Sequence, residues 1–119
     1  MILWLTGNSG SGKTTLARKL AGRNTIILDG GELRRVWPGL DLSVEGRREQ
    51  CLRVARLARY LEGQGLTVIV AVIAPFEDLR REIEALTDCK WVYLAGGESG
   101  ADYPYEVPLA PILTVRGYG

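Results

Sequence analysis

The fold of this chain is decided by the stretch Gly7-Asn8-Ser9-Gly10-Ser11-Gly12-Lys13-Thr14. This stretch, called here the phosphate loop, fits the pattern G-x-x-x-x-G-K-[ST] in full. Its glycines let successive backbone N–H groups point inward at phosphate oxygens, and the helix that follows adds its positive N-terminal end. The pattern therefore predicts a site for the phosphates of ATP that extends to Thr15. Lys13 would reach the β- and γ-phosphates, and the Thr14 hydroxyl would bind Mg²⁺.

A chance match in an ordinary glycine-rich turn is the alternative interpretation of the phosphate loop. The apolar run Ile2–Thr6 before it is typical of a buried parallel strand. After it, Leu16, Ala17 and Leu20 recur at helical spacing. A strand before and a helix after are the context that a phosphate-binding loop requires, so a chance match is the weaker interpretation.

Strand and helix patterns alternate along the rest of the chain. The predicted strands are the apolar runs Ile2–Thr6, Thr25–Leu28, Leu66–Ala74, Lys90–Leu94 and Ile112–Val115. The predicted helices are Lys13–Ala21, Arg47–Glu62 and a stretch that starts at Pro75. Such alternation implies right-handed crossovers and a parallel sheet. We expect residues 1–119 to form a single domain with the α/β, three-layer P-loop NTPase fold, in which four or five strands lie between helices.

The composition excludes several classes of protein. A formal charge of +1 argues against nucleic-acid binding, and no apolar stretch reaches the ~18 residues of a membrane span. The first residues lack a secretory signal, so the cytoplasm is the expected compartment. The chain has no histidine, which excludes Ser-His-Asp and Cys-His hydrolases and leaves carboxylates, water or substrate to accept a proton. Cys51 and Cys89 form no C-x-x-C pair and are interpreted as small buried hydrophobic residues.

Asp29 is the leading candidate for a catalytic carboxylate. It follows an apolar strand and precedes Gly30 and Gly31, at the sheet edge where ligands bind in α/β proteins. There it would hold Mg²⁺ or accept the proton of a substrate hydroxyl. The alternative is an N-cap for a helix over Glu32–Val36. The glycines let a ligand approach closely and favour the functional role, and Glu32 is a weaker candidate for a second acid.

Four further motifs occur in the order found in one enzyme family. They read Leu28-Asp29-Gly30-Gly31-Glu32-Leu33-Arg34, Leu42-Ser43-Val44-Glu45-Gly46-Arg47-Arg48-Glu49-Gln50, Ile73-Ala74-Pro75 and Tyr105-Glu106-Val107-Pro108. With the phosphate loop, they make the chain resemble the adenylylsulfate kinases over nearly its whole length. The resemblance implies transfer of the γ-phosphoryl group of ATP to the 3′-hydroxyl of adenylyl sulfate, a reaction of sulfate assimilation.

The resemblance also implies roles for individual residues. Lys13 and Asp29 would be catalytic, and Thr14 and Asp29 would hold the metal. Arg34 and Arg47 would receive the charged groups of the acceptor, a task that suits planar guanidinium donors. The acceptor site would further contain Asp29, Gln50, Ile73, Ala74 and Pro75. Members of the family often form dimers, so a homodimer is expected.

Arginines outside these motifs have simpler interpretations. The helix predicted to start at Pro75 carries Arg80. This side chain would either meet a phosphate or pair with Glu77 or Glu84 one turn away. The longest predicted helix carries further arginines whose pattern is typical of a solvated face, namely Arg48, Arg53, Arg56 and Arg59.

The sequence departs from the family pattern at several positions. Gly31 stands for the second Asp of a D-G-D turn, Leu42 for a Phe that helps hold the acceptor's adenine, and Gly46 for another Asp. The segment Ala95–Pro104 has no Lys or Arg, so the lid after residue 94 is reduced. A basic lid clamps charge and excludes water. Two alternatives therefore stay open: a P-loop kinase for another hydroxyl acceptor, such as a sugar or nucleoside, and a non-catalytic ATP-binding protein.

Overall fold

All strands of the described sheet run parallel. The computed structural model describes residues 1–97 and 104–116. Its strands are β1 Ile2–Thr6, β2 Thr25–Asp29, β3 Thr67–Ala71, β4 Lys90–Leu94 and β5 Leu113–Val115. Its helices are α1 Lys13–Leu20, α2 Gly30–Val36, α3 Val44–Gly63 and α4 Glu77–Thr87. The strand order is β2-β3-β1-β4-β5, which confirms the predicted parallel sheet of four or five strands.

Strand β1 lies at the centre of the sheet, paired along both edges. Trp4 is opposite Val70 of β3 and Trp91 of β4. A strand in this position is covered on both faces, which explains why Ile2–Thr6 is so apolar. The chain leaves β1 at its carboxyl end and enters the phosphate loop. The loop is therefore placed at the middle of the edge where ligands bind in parallel sheets.

Helices cover both faces of the sheet, with a hydrophobic core under each layer. Successive strand residues point to opposite faces. Trp4 belongs to the larger core cluster, with residues of α2, α3 and α4, whereas Leu5 belongs to the smaller one, with Ala17 of α1. Cys51 and Cys89 are buried free thiols in the larger cluster, as their interpretation as hydrophobic residues requires. The predicted three-layer arrangement is confirmed.

Strand β3 ends before the predicted end at Ala74. Past the strand, the Val72 carbonyl accepts a hydrogen bond from Trp4 Nε1 at 3.0 Å, and the Ile73 carbonyl accepts one from Thr6 Oγ1 at 2.5 Å. Side chains of β1 thus replace the backbone ladder. Ala74 also has a left-handed φ of 46°, which a strand excludes. This part of the chain is therefore a loop at the carboxyl edge of the sheet.

Two helices begin at residues other than the predicted ones. Helix α3 begins before Arg47, because the Ser43 hydroxyl accepts a hydrogen bond from the Gly46 N–H at 3.0 Å and caps the helix. Helix α4 begins after the predicted start at Pro75, and the Glu106 carboxylate accepts a bond from its first N–H at 2.8 Å. Both starts depend on polar caps that hydrophobic periodicity does not reveal.

The longest helix, α3, is amphipathic. Its buried face consists of Gly46, Gln50, Cys51, Val54, Ala55 and Ala58. On the outer face Arg48 pairs with Glu82 and Arg53 with Glu49, while Arg56 is exposed. No helix in residues 1–97 and 104–116 combines the length and the apolar character needed to cross a membrane.

The core packing predicts a large difference between two equal truncations. Leu79 of α4 is fully buried in the larger core cluster, whereas Leu109 is 84% exposed. Leu79→Ala should lower the free energy of unfolding by about 3 kcal/mol, because a cavity replaces packed methyl groups. Leu109→Ala should change it by less than about 0.5 kcal/mol. Urea unfolding followed by tryptophan fluorescence measures both, and equal effects would contradict the described core.

Candidate active site

The phosphate loop is held by its own glycines and by Lys13. Gly10 and Gly12 have φ values of 80° and 99°, which favour glycine, and Gly12 directly precedes α1. The Lys13 ammonium donates hydrogen bonds to the carbonyls of Gly7 at 2.9 Å and Asn8 at 2.8 Å. The lysine side chain therefore runs back along the loop from the start of α1.

The phosphate loop packs so closely against the end of β4 and the turn after it that Gly7 and Gly97 have no space for a side chain. A Cβ at Gly7 would lie 2.5 Å from the Leu94 carbonyl oxygen and 2.7 Å from Ser11 Oγ. A Cβ at Gly97 would collide with the Ser9 carbonyl oxygen. The phosphate loop is thus packed against β4 on one side and against the turn after β4 on another.

The segment predicted to be a reduced lid, Ala95–Pro104, begins with this turn. Gly96 and Gly97 have φ values of 108° and 75°. Residues 98–103 of the segment lie outside the described part of the chain. The sequence analysis did not predict the contact between Gly97 and the phosphate loop. The signal for it in the sequence is a pair of glycines after a strand.

Asp29 caps a helix, and it also contacts the start of α1 beside the phosphate loop. Its Oδ1 accepts hydrogen bonds from the N–H groups of Gly31 at 2.9 Å and Glu32 at 3.2 Å, so it caps α2. Its Oδ2 accepts a hydrogen bond from Thr14 Oγ1 at 2.6 Å. Strand β2 thus delivers a carboxylate directly to the start of α1. The same bonds fix its orientation beside the phosphate loop.

The pair formed by Thr14 and Asp29 has the donor chemistry that Mg²⁺ prefers. Mg²⁺ is held in proteins by one or two hard oxygen ligands, while phosphates and waters complete its shell. The described residues contain no group of three or more His, Cys, Asp or Glu side chains that could hold a metal ion. A hydroxyl and a carboxylate 2.6 Å apart next to a phosphate loop therefore fit a phosphate-bound Mg²⁺ rather than an all-protein metal cage.

Lys13 has a perturbed pKa. Burial lowers the pKa of its ammonium from 10.5 to about 8, although the nearby Asp29 carboxylate opposes this change. Because the folded pKa lies below the unfolded one, the charged lysine costs folding free energy below about pH 8, and the cost disappears as the pH rises toward 10.5. A dianionic phosphate beside Lys13 would restore a favourable partner for its charge.

A cleft of about 630 Å³ opens between the phosphate loop, α2, α3 and the loop after β3. Its lining includes most of the predicted site residues: Asn8, Ser9, Gly10, Gly12, Lys13, Thr14, Thr15, Asp29, Arg34, Arg47, Gln50, Ile73, Ala74 and Pro75. Gly7 and Ser11, also predicted, belong to the loop but are buried and do not line the cleft. Asp29 is the only carboxylate among the described lining residues, so Glu32 does not reach the cleft.

Two arginines, one from α2 and one from α3, bring positive charge to the lining of the cleft. Neither Arg34 nor Arg47 pairs with a carboxylate within the described residues, and Arg47 Nε donates to the Leu42 carbonyl at 2.9 Å. Both guanidiniums lie near the Cys51 thiol, whose pKa burial raises to about 12 despite their charges. They are therefore available to an anionic ligand in the cleft.

Gln50 reaches the cleft but uses its amide within the protein. It is buried, and its Nε2 donates a hydrogen bond to the Gly30 carbonyl at 3.0 Å. This bond ties α3 to the start of α2. The effect of Gln50 on a bound acceptor is therefore expected to be indirect, through the position of α2, which carries Arg34.

The sheet order, the phosphate loop and the charged cleft together define a kinase-type protein with the P-loop NTPase fold. The sequence profile described as adenylylsulphate kinase matches residues 1–96. The chain therefore belongs to the adenylylsulfate kinase family, whose members use ATP as a substrate.

Individual relatives agree with this assignment. The chain is 36% identical to the adenylyl-sulfate kinase of Myxococcus xanthus, over 97% of this chain and 80% of that protein. It is similar to the APS kinase of Mycobacterium tuberculosis solved in complex with AMPPNP and APS, with a TM-score of 0.83 and 27% identity over 98% of this chain and 87% of that one. It is also 40% identical to the cytidine diphosphoramidate kinase of Campylobacter jejuni, over 66% of this chain and 49% of that protein.

The contact of Gly97 with the phosphate loop can be tested against its neighbour. Gly96→Ala and Gly97→Ala both force alanine into a positive φ, but only the second places a methyl group against the loop. Gly97→Ala should weaken ATP binding about tenfold, because the added methyl group displaces the packed loop. A cost of roughly 1.4 kcal/mol is enough for this effect. Gly96→Ala should leave the affinity within about twofold. Calorimetry with ATP measures both, and equal affinities would contradict the packing.

The perturbed lysine gives a second prediction. In a ¹³C NMR titration of the chain without nucleotide, the Lys13 side chain should titrate near pH 8 rather than near 10.5. Asp29→Asn should lower this pKa further, because it removes the carboxylate that favours the ammonium. A Lys13 midpoint near 10.5 would show that the ammonium is not desolvated. A rise in the pKa of Lys13 with Asp29→Asn would show that the carboxylate does not favour the ammonium.

Proposed function

We propose that this chain transfers the γ-phosphoryl group of ATP to the 3′-hydroxyl of adenylyl sulfate. The observation that carries the proposal is one cleft lined by three components: a phosphate loop, two arginines that pair with no carboxylate of the described residues, and a carboxylate held beside the loop. A phosphoryl donor and an anionic acceptor can be held there side by side. Family membership, with relatives named for this activity, supports adenylyl sulfate as the acceptor.

The donor end of the cleft binds the ATP phosphates. Backbone N–H groups of the phosphate loop and the ammonium of Lys13 receive their negative charge. Thr14 and Asp29 would hold Mg²⁺, directly or through water, and the ion when bound neutralises charge on the β- and γ-phosphates. Little covalent chemistry is asked of the protein in phosphoryl transfer, so alignment and charge stabilisation are its main contributions.

The acceptor end recognises charge and shape. Arg34 and Arg47 bind the anionic groups of adenylyl sulfate, since a guanidinium can donate two parallel hydrogen bonds to such groups. The loop Ile73–Pro75 forms the wall beside them. The acceptor hydroxyl then faces the phosphate loop close to Asp29, and Asp29 is the group in the described cleft that can receive or orient its proton.

A different acceptor is the second candidate function. Leu42 and Gly31 replace an aromatic residue and an acid of the family pattern, and a relative is a cytidine diphosphoramidate kinase. Both acceptors are nucleotides with charged groups that would suit Arg34 and Arg47. Adenylyl sulfate is favoured because the relatives that span nearly the whole chain are named adenylyl-sulfate kinase.

Assembly into a homodimer stays a prediction.

The decisive assay measures ADP release from ATP and Mg²⁺ with adenylyl sulfate, cytidine diphosphoramidate, a sugar or a nucleoside as acceptor. Adenylyl sulfate should give the highest kcat/KM. Lys13→Ala should lower this value by about 10²–10³-fold, because it removes a donor that stabilises transition-state charge. Lys90→Ala is the matched control, since Lys90 lies at the opposite end of a strand and outside the cleft.

Three other results would contradict the proposal. Activity with a different acceptor would assign that substrate instead. Equal activity of wild type and Lys13→Ala would show that the phosphate loop is not the catalytic site. ATP binding without phosphoryl transfer to any acceptor would identify a binding protein.

A further inference from the structure

Arg80 is completely buried next to the cleft although it does not line it. Its Nη1 donates a hydrogen bond to the Ala74 carbonyl at 2.7 Å. Its Nη2 bonds the Glu106 carbonyl and lies 3.3 Å from the Glu77 carboxylate. Burying a guanidinium is costly unless it is paired and hydrogen-bonded. Of the alternatives that the sequence left open for Arg80, the ion pair with Glu77 is present, and the contacts with two backbone carbonyls extend beyond it.

One of these carbonyls belongs to a strained residue of the cleft wall. Ala74 is fully buried with a φ of 46°, an uncommon backbone conformation for a residue other than glycine. Such a conformation persists only where its surroundings enforce it. Arg80 holds the Ala74 carbonyl from one side, and Thr6 Oγ1 lies 3.4 Å from it on another. The shape of the wall Ile73–Pro75 therefore depends on groups outside the cleft.

A segment from the far end of the chain completes this network. The closing segment, defined as Tyr105–Pro108, enters through Glu106, whose N–H donates to the Pro75 carbonyl at 2.7 Å. The Tyr105 ring centroid lies 5.4 Å from Arg80 Cζ, and the ring stacks on that of Tyr93 in β4. Burial raises the pKa of Tyr105 to about 12, so its hydroxyl keeps its proton at neutral pH.

The closing segment also reaches the strand that leads into the phosphate loop. The Tyr105 hydroxyl lies 2.7 Å from Thr6 Oγ1, and Thr6 immediately precedes the loop. The same Thr6 hydroxyl donates to the Ile73 carbonyl. One continuous set of hydrogen bonds thus connects the wall on the acceptor side with the base of the phosphate loop on the donor side.

We propose that Arg80 is a positioning residue that, with Tyr105, sets the acceptor wall Ile73–Pro75 at a fixed distance from the phosphate loop. Arg80 touches neither nucleotide. It acts by holding the strained Ala74 carbonyl and the closing segment together, so that the acceptor meets a preformed wall. The inference rests on the proposed function in taking this wall as the acceptor side of the cleft. Loss of the network should therefore weaken acceptor binding more than ATP binding.

The test compares the same substitution at two neighbouring arginines. Arg80→Lys keeps the charge but removes the fork that holds two carbonyls at once. It should raise the KM for adenylyl sulfate about tenfold and leave the Kd for ATP within about twofold. Arg81→Lys is the control, because Arg81 is exposed and also pairs with Glu77. A purely structural role of Arg80 would instead change both nucleotides equally, together with a lower Tm, and would overturn the proposal.

A milder variant serves if Arg80→Lys does not fold. Tyr105→Phe removes one hydroxyl and keeps the ring over Arg80, so a rise in the KM for adenylyl sulfate of about threefold is expected, with ATP binding unchanged. Equal KM values for wild type and Tyr105→Phe would overturn the role of the closing segment.

A second measurement separates this inference from the proposed function. Hydrogen–deuterium exchange of the chain without nucleotides should be at least about tenfold faster at the Glu77 and Glu106 amides, which donate to the Glu106 carboxylate and the Pro75 carbonyl, in Arg80→Lys than in wild type, and unchanged in α1. If wild type does not phosphorylate adenylyl sulfate but this exchange result holds, only the proposed function fails. Unchanged exchange at these two amides overturns the positioning role whichever acceptor is used.

Discussion

The arrangement of the site depends on the hydrogen bonds that the Asp29 carboxylate accepts. Asp29 is the last residue of β2, and its carboxylate caps α2 by accepting hydrogen bonds from two backbone N–H groups. It also accepts a hydrogen bond from the Thr14 hydroxyl at the start of α1. Three elements therefore meet at one side chain. Because the capping bonds already fix its orientation, the carboxylate reaches the phosphate loop without a further loss of side-chain freedom. The helix that follows it carries Arg34 to the lining of the same cleft.

The parallel sheet explains why these groups converge. Strands β1, β2 and β3 all end at the same edge, and each delivers a different part of the site: the phosphate loop, Asp29 and the wall Ile73–Pro75. Helix α3 closes the remaining side with Arg47. A reaction between two anionic nucleotides needs both of them aligned and their charges neutralised. The rigid edge of the sheet suits the first need, and under the proposed function Lys13 and the two arginines would meet the second.

Much of this could be predicted from local sequence patterns. The phosphate loop and the apolar strands are local signals, and they led to the correct fold class. Asp29 was harder, because a capping aspartate and a ligand-binding aspartate look alike in sequence, and here the capping residue also lies beside the phosphate loop. Features that depend on distant contacts were missed: the early end of β3, which Trp4 and Thr6 enforce, and the packing of Gly97 on the phosphate loop. Arg80 could be paired with Glu77 from helical spacing, but its bond to Ala74 depends on tertiary structure.

Identifying the product distinguishes phosphoryl transfer from hydrolysis of ATP. The chain is incubated with ATP, Mg²⁺ and adenylyl sulfate, and the mixture is followed by ³¹P NMR. The account predicts a new phosphomonoester resonance, coupled to the ribose H3′ proton of the acceptor and growing in step with ADP. ADP and inorganic phosphate as the only new products, with adenylyl sulfate unchanged, would contradict this activity and identify an ATP-hydrolysing protein instead.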